Sequence, residues 1–312
     1  MTTKFDRADP GAGAPSAAGI AMILSCALVW GCNWPVTKFA LGEIAPFTYR
    51  AWGLLIAGVV TLLIALAQGS RLRIPRAERW PIVLVGVFNV GLFHLLAVYA
   101  VFLLPAGRAI AIAYTFSVWT TLFGRLILGE RFTADRLIGV ALGLGGLAAL
   151  AGPDLIAMQE TPWGVILAVA TSIAWAFGSI FFKMFRWTLS SMELSGWQLM
   201  VGFAPIMALA LVFEPLPDPQ ALSPSAQAAW AYFIVIGMIY GHWAWFSGLR
   251  LISPVIASIC SFAAPVVGVF FAGFLLGERA SLTDYLGLTL VVASLFVIFV
   301  GRAGIRRALG RG

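Results

Sequence analysis

The chain has 312 residues, of which 61% are hydrophobic and only 11% are charged. Soluble globular domains carry about 25% charged residues, so these few charges could not cover the surface of a soluble domain of this length. The formal net charge is +7, but the basic residues are scattered over short loops and form no basic domain. No nucleic-acid partner is therefore expected.

The chain begins with 16 polar, small and Gly/Pro-containing residues, a composition typical of a disordered terminus. Long apolar stretches follow, and a helix needs roughly 20 such residues to cross the hydrocarbon core. The stretches are continuous rather than alternating apolar and polar, which argues against a β-barrel. The spans predicted to cross the membrane are 17–39, 45–67, 80–102, 105–128, 135–152, 162–184, 193–213, 227–249, 254–276 and 283–301.

Landmark residues of the first half return in the second half, in the same order and at nearly constant spacing. The recurring pairs are Trp30 and Trp175, Lys38 and Lys183, Trp52 and Trp197, His94 and His242, and the Gly-Glu-Arg segments 129–131 and 277–279. Each copy holds five predicted spans, an odd number, so the second copy starts on the opposite side of the membrane. Homologous halves of opposite orientation are typical of secondary transporters.

This pattern predicts an all-α membrane protein with one membrane domain of ten helices. Residues 17–152 and 162–301 are the two inverted five-helix repeats around a central cavity, flanked by the disordered segment 1–16 and a basic C-terminus, 302–312. With both termini in the cytoplasm, most of the 20 Lys and Arg residues lie inside, as the positive-inside rule requires. The outer side then carries only Lys38, Arg50, Arg108 and Arg279.

A polar and aromatic stripe runs along the first predicted helix. Trp30, Asn33, Trp34 and Lys38 are three or four residues apart and so share one side of the helix. Pro35 lies among them, where it removes a backbone hydrogen bond, kinks the helix and frees a carbonyl. Exposing this stripe to lipid would cost free energy, so it is expected to face the interior of the helix bundle. The alternative is an interfacial Trp belt, with Lys38 reaching the headgroups.

His94 and His242 lie near the middle of predicted spans, where a polar ring needs a partner or water. Aromatic residues accompany both, among them Tyr99 in the first copy and Tyr240 and Trp245 in the second. Two interpretations remain open. Each histidine bridges helices by a hydrogen bond, or it contacts substrate or acts as a proton-sensitive gate.

Further polar positions complete the predicted substrate site. Hydroxyl residues share a face on the fourth and ninth spans, and Pro265 predicts a kink in the ninth. The candidate substrate-binding residues are Trp30, Asn33, Trp34, His94, Tyr99, Tyr114, Trp119, Trp175, Tyr240, His242, Trp245 and Ser258. Lys38 and Arg108 are candidate anion or gate contacts.

Other positions read as structural. Glu130 and Glu278 stand at helix ends beside an arginine, which indicates capping and local ion pairing. Glycines spaced four apart, Gly139 with Gly143 and Gly273 with Gly277, indicate close helix packing.

The doubled Leu-Gly-Glu-Arg motif resembles the drug/metabolite transporter superfamily. It stands at 128–131 with Gly139 downstream and at 276–279 with Gly287 downstream. The segment Trp-Gly-Cys-Asn at 30–33, followed by Pro46 and Arg50, is similar to the start of the ten-helix EamA-type members. The resemblance, which covers about 17–301, implies ten helices in an inverted repeat and a cavity alternately open to each side.

Within that family, the interior rich in Trp, Tyr and His looks most like bacterial aromatic amino-acid exporters. One departure stands out. Ala-Phe-Gly at 176–178 replaces the Gly-Cys-Asn of the first copy, so Gly178 stands where Asn33 would recur. The polar contact of Asn33 is therefore expected to be unduplicated.

The resulting hypothesis is an inner-membrane secondary transporter that exports aromatic and other neutral amino acids by alternating access. It is expected to act as a monomer, with a small-molecule substrate, the lipid bilayer as surroundings and no cofactor or metal. No enzyme is expected, because two histidines cannot form a His-Glu-x-x-His site and no Gly-Lys-Ser/Thr phosphate loop is present. The alternatives are a carrier of anions such as sugar phosphates, held by Lys38, Arg50 or Arg108, a membrane enzyme, or a scaffold.

The positions of the acidic residues indicate how transport is driven. All of them lie near the ends of the predicted spans. Proton antiport usually depends on a carboxylate inside the membrane. Facilitated diffusion is therefore expected rather than proton coupling.

Overall fold

The computed structural model describes residues 16–129, 134–156, 162–252, 260–261 and 263–308. Over these residues the chain is all-helical, without a strand. In chain order the helices are α1 Ala17–Ala40, α2 Pro46–Ala67, α3 Arg76–Leu103, α4 Ala106–Leu128, α5 Ala134–Ile156, α6 Pro162–Met184, α7 Ser191–Phe213, α8 224–251, α9 Ala263–Leu276 and α10 Leu282–Ala308. A turn at Tyr114 and Thr115 interrupts α4.

Six of the described helical stretches are long and apolar enough to cross a membrane: Ala17–Ala40, Pro46–Ala67, Arg76–Leu103, Ala106–Leu128, Trp163–Phe182 and Ser191–Phe213. Shorter apolar helices are Leu137–Leu150, Ala263–Leu276 and Leu282–Ile298. The start of the predicted ninth span, 254–259, lies outside the described residues. The chain is a multi-pass membrane protein.

Local sequence signals set several helix ends. The Ser16 hydroxyl accepts from the Gly19 amide at the start of α1, and Ser190 with Glu193 forms a capping box at the start of α7. Gly129 and Gly277 follow the ends of α4 and α9 with φ of 68° and 67°, a left-handed conformation that favours glycine. Gly277 therefore terminates a helix, and the predicted packing pair with Gly273 is wrong.

The glycines of α5 lie against α10. A Cβ on Gly146 would come within 3.0 Å of the Gly287 carbonyl oxygen, so the two backbones approach as closely as small residues allow. The Ser294 hydroxyl adds a hydrogen bond of 2.6 Å to the Gly139 carbonyl.

The other helices form matching pairs. α1 packs against α8 and α9, and α6 packs in the same way against α3 and α4, while α2 packs against α7. The inner sides of α1, α3, α4, α6 and α8 therefore surround one interior region.

Two stretches of π-helix interrupt this wall. They cover Val87–Leu92 within α3 and Tyr232–Tyr240 within α8, and both end just before a histidine-containing segment. π-Helical turns are rare and occur often at functional sites.

Candidate functional site

An aromatic cluster from five helices occupies this interior. We define it as Trp30, Phe93, Phe116, Trp175, His242 and Trp245. The Trp30 ring lies 5.6 Å from His242, 5.7 Å from Trp245 and 6.1 Å from Trp175. Trp175 in turn lies 4.9 Å from Phe93 and 6.3 Å from Phe116. The two repeated tryptophans thus meet at the contact between the two halves.

Trp30 is held in place by its indole nitrogen, which donates to the Gly237 carbonyl at 3.0 Å. This carbonyl belongs to the π-helical stretch of α8. Two further bonds join α1 to the same stretch: the Tyr232 hydroxyl donates to the Val29 carbonyl at 3.0 Å, and the Ser25 and Tyr240 hydroxyls are 2.7 Å apart. Residues 25–30 of α1 are therefore hydrogen-bonded to the π-helical stretch of α8.

The two histidines differ in their partners. The Nδ1 atom of His242 lies 3.0 Å from the Met238 carbonyl, one turn earlier in its own helix. His94 is 4% exposed, yet its Nδ1 atom has no hydrogen-bond partner among the described residues. Its ring packs edge-on against Phe93 at 5.1 Å and Phe233 at 6.1 Å. His94 thus borders the aromatic cluster with unused hydrogen-bonding capacity.

Arg50 lies near the start of α2, as sequence reasoning placed it with Lys38 and Arg108, but its side chain is buried between helices. It is 3% exposed because the fifth residue of α2 points inward onto α8. Its guanidinium lies 4.7 Å from the Phe233 ring and 5.4 Å from the Tyr49 ring. The signal in the sequence was a charge inside a predicted span, which marks a functional position more often than an anchor.

Asn33 has a counterpart after all, on a different helix. Asn33 on α1 lies beside Gly237 of α8, so close that a Cβ there would be 3.0 Å from its Oδ1 atom. In the other half, Asn89 of α3 lies against Gly178 of α6, where a Cβ would overlap its Oδ1 atom. Neither Oδ1 atom has a hydrogen-bond partner among the described residues, so what recurs is an asparagine packed on a glycine, and the expectation about a polar contact of Asn33 stays a prediction. The asparagine and the glycine have exchanged helices.

Several predicted residues lie next to the aromatic cluster. Trp34 is buried and lies 6.4 Å from Phe93, and Tyr114 lies 5.6 Å from Phe116. Tyr240 reaches α1 through Ser25, as described above. Pro35 is buried within a continuous α1, and the Gly31 carbonyl that it leaves without a donor lies 3.2 Å from the Cβ position of Gly268.

Other predicted residues lie apart from the cluster. Tyr99 packs against Phe47 and Phe102 near the end of α3, and Trp119 stacks on Phe123. Pro265 is buried near the start of the described helix α9. Ser258 and Glu130 fall outside the described residues.

The cations Lys38 and Arg108 are engaged at the helix ends. The Lys38 ammonium donates to the Leu104 carbonyl and lies 3.9 Å from Glu278. Arg108 forms a two-pronged pair with Asp284, at 2.8 and 3.3 Å. Glu278 accepts from the Ala106 and Gly107 amides at 2.8 and 3.2 Å and so caps α4.

A small cavity opens among these charged groups, lined by Arg108, Glu278 and Asp284, with a volume of about 60 Å³. Around the same helix ends, Glu214 caps α2 by accepting from the Phe47 and Thr48 amides.

The EamA-like transporter family matches the chain twice, over residues 17–152 and 162–300. The chain belongs to the EamA-like transporter family. It is a membrane transporter, as the apolar helices and the doubled motif predicted. Among the described residues no group of three or more His, Cys, Asp or Glu side chains could hold a metal.

Curated relatives of this EamA family protein match nearly its full length. The uncharacterized transporter YvbV of Bacillus subtilis is 28% identical over 87% of this chain and 88% of its own. A probable amino-acid metabolite efflux pump of Escherichia coli is 25% identical over 90% of this chain and 94% of its own. A crystal structure with 21% identity covers 94% of this chain and 99% of its own at a TM-score of 0.65, which shows that the fold is shared.

Proposed function

We propose that the protein exports small amphipathic metabolites, aromatic and other neutral amino acids in particular, across the bacterial inner membrane by alternating access. The observation that carries the proposal is the aromatic cluster, in which Trp30 of the first half meets Trp175 of the second. Indole and phenyl rings offer broad apolar contact to an amino-acid side chain and an attractive face to its ammonium group.

The exposure of the cluster supports the same function. Trp30, Trp175 and Trp245 are only half-buried although they lie inside the bundle. In the described part of the chain, Asn33 Oδ1 and His94 Nδ1 have no hydrogen-bond partner; His94 contacts Phe93 of the cluster, and Asn33 adjoins Gly237, whose carbonyl accepts from Trp30. An apolar wall with a few free polar atoms is the usual composition of a small-molecule site. The amino-acid metabolite efflux pump among the relatives agrees with this substrate class.

The proposed architecture is ten membrane helices in an inverted repeat, with both termini in the cytoplasm and one chain as the transporting unit. Corresponding helices of the two halves pack in the same way, which supports this architecture: α1 packs against α8 and α9, and α6 packs against α3 and α4. Each pair combines helices from different halves. Rocking one half against the other would therefore open the interior to alternate sides.

An anion carrier is the weaker proposal, because Lys38 and Arg108 are bound to Glu278 and Asp284. Proton antiport has equally little support. Glu78 is the only acidic side chain among the buried residues described, and it accepts hydrogen bonds from Thr188 at the end of a helix. We therefore propose facilitated diffusion, without a cofactor or an enzymatic activity.

Transport is tested with purified protein in liposomes, by counterflow of radiolabelled L-tryptophan, L-phenylalanine and L-leucine. We expect exchange of all three, fastest for the aromatic pair, and little net uptake when only a pH gradient is imposed. Trp175→Ala should reduce the exchange strongly, whereas Trp163→Ala on the same helix, 66% exposed, serves as the matched control. No exchange of any amino acid, while other metabolites move, would refute the substrate class.

A further inference from the structure

The Arg50 guanidinium is a buried charge with spare donors. Its only described hydrogen bond runs from Nη2 to the Thr37 hydroxyl at a long 3.4 Å. The Nε and Nη1 atoms have no partner in the described part of the chain. A guanidinium stays charged and carries five N–H donors in a planar fork, so most of its capacity is unused.

A buried guanidinium with unused N–H donors is unfavourable unless a ligand or another group binds those donors. Removing an ion from water costs free energy even after the protein relaxes, and cation–π attraction to the Phe233 and Tyr49 rings returns only part of that cost. The ion pairs found among the described residues do not include Arg50. An ionisable residue kept inside the membrane under these conditions marks a ligand or ion position.

One unused acceptor lies on α1, the helix whose Thr37 Arg50 contacts. Asn33 stands one helical turn before Thr37 on α1, is 6% exposed, and its Oδ1 atom has no partner in the described structure. The Asn33 side chain adjoins Gly237, one turn after the Phe233 ring that covers Arg50. Donors and an acceptor without partners therefore flank the same turn of α8, beside the aromatic cluster.

We propose that Arg50 binds the carboxylate of a zwitterionic α-amino acid, while the Asn33 Oδ1 atom accepts from its ammonium group and its side chain rests on the aromatic cluster. This inference rests on the proposed function and specifies the substrate as a molecule that carries both charges. Because Arg50 and Asn33 are buried here, substrate reaches them when α1, α2 and α8 separate during alternating access.

The test compares three indole compounds that differ only in charged groups. L-Tryptophan has both, indole-3-propionate lacks the ammonium, and tryptamine lacks the carboxylate. Dissociation constants are measured by microscale thermophoresis on detergent-purified protein. For the wild type we expect L-tryptophan to bind at least tenfold more tightly than either analogue. Tryptamine binding as tightly as L-tryptophan would overturn the carboxylate assignment without any variant.

The decisive variant is Arg50→Gln. A charged hydrogen-bond partner is lost, so affinity for L-tryptophan and indole-3-propionate should fall about 10- to 100-fold, while tryptamine affinity stays unchanged. An equal loss for all three ligands would make Arg50 structural and overturn the proposal. Arg73→Gln, which removes an exposed arginine, is the charge-matched control.

A second variant addresses the other end of the ligand. Asn33→Ala should weaken L-tryptophan and tryptamine but leave indole-3-propionate unaffected. If Arg50→Gln does not fold, Arg50→Lys keeps the charge without the fork and should give an intermediate loss for the two carboxylates only. Wild-type protein that binds no amino acid at all would refute the proposed function; selective failure of the Arg50 predictions refutes this inference alone.

Discussion

The contact of α1 with α8 and the contact of α6 with α3 occupy equivalent places, yet different chemistry holds them together. The first carries hydrogen bonds from Trp30 and Tyr232. The second carries aromatic contacts, with Phe88 lying 5.7 and 5.3 Å from Phe177 and Phe181. Among the described residues, the α1–α8 contact thus has these hydrogen bonds in addition to aromatic contacts of its own, those of Trp30 with His242 and Trp245.

The exchanged asparagine and glycine sharpen this comparison. Each contact holds one asparagine and one glycine, Asn33 with Gly237 and Asn89 with Gly178. A second exchange is found where each loop contacts the start of a helix. The α1–α2 loop supplies the carboxylate of Glu43, which accepts from Ser223 at the start of α8. The α6–α7 loop instead supplies Thr188, which donates to the carboxylate of Glu78 at the start of α3. What the two halves share is the contact. Which helix supplies the polar group is free to vary.

The largest effect is expected where the glycine has least room. A Cβ on Gly178 would overlap the Asn89 side chain and come within 3.1 Å of its backbone nitrogen, while one on Gly237 would lie 3.0 Å from Asn33 Oδ1. Gly178→Ala should therefore destabilise the protein by about 1–3 kcal/mol, and Gly237→Ala by less. Thermal unfolding in detergent, followed by tryptophan fluorescence, measures both. Equal effects would contradict the comparison.

Exchanging the residues tests whether the contact is the conserved unit. Gly178→Asn with Asn89→Gly gives the α6–α3 contact the arrangement of α1–α8. The double variant should be more stable than the two single changes predict, by a coupling of about 0.5–3 kcal/mol for residues in contact. A double variant as unstable as Gly178→Asn alone would show that the two places are not equivalent.

The two histidines should separate in transport assays. His242 already has the Met238 carbonyl near its Nδ1 atom, whereas the Nδ1 atom of His94 has no described partner. If His94 contacts substrate, His94→Gln weakens binding by about 0.5–1.5 kcal/mol, a two- to tenfold change in apparent affinity, roughly. His242→Gln should be nearly neutral. Counterflow kinetics of the two variants at matched protein amounts test this prediction. Unchanged apparent affinities in both variants would indicate that the histidines only bridge helices.

Two carboxylates that cap helices give a smaller contrast. Glu278 caps α4 and also lies near the Lys38 ammonium, while Glu214 caps α2. We expect Glu278→Gln to lower stability by about 0.5–1 kcal/mol and Glu214→Gln to have a smaller effect. Thermal unfolding at low and high salt measures the difference, which should shrink as salt screens the charges.

The smallest expected effect is a loss of stability at acidic pH that depends on Glu43. Hydrogen bonds from the Ser223 hydroxyl and amide lower the pKa of Glu43 below its ordinary value of 4.5. A lowered pKa stabilises the folded state above the ordinary value, and this contribution is lost as the pH falls through the folded-state pKa. Wild type should therefore unfold at a higher temperature than Glu43→Gln at pH 7. The gap should close below pH 4.5, and a constant gap from pH 3 to 7 would contradict the assignment.

Much of this molecule was predictable from the sequence because the bilayer imposes length and apolarity on each helix. The interior position of Trp30 and the two histidines followed from the high free energy of polar groups in lipid. The burial of Arg50 was not predicted, because a charge close to the end of a span resembles an interfacial anchor. Asn89 was missed because its equivalence to Asn33 becomes visible only once α3 and α6 are packed together.

The π-helical stretches of α3 and α8 occupy corresponding positions, 87–92 and 232–240. An i→i+5 turn accommodates about one residue more than an α-helical turn, and each residue rotates an α-helix by about 100°. Each stretch is thus equivalent to a single inserted residue, which rotates the following segment together with the histidine that it carries. Since α3 and α8 both carry such a stretch, the same rotation about the helix axis sets the directions of His94 and His242.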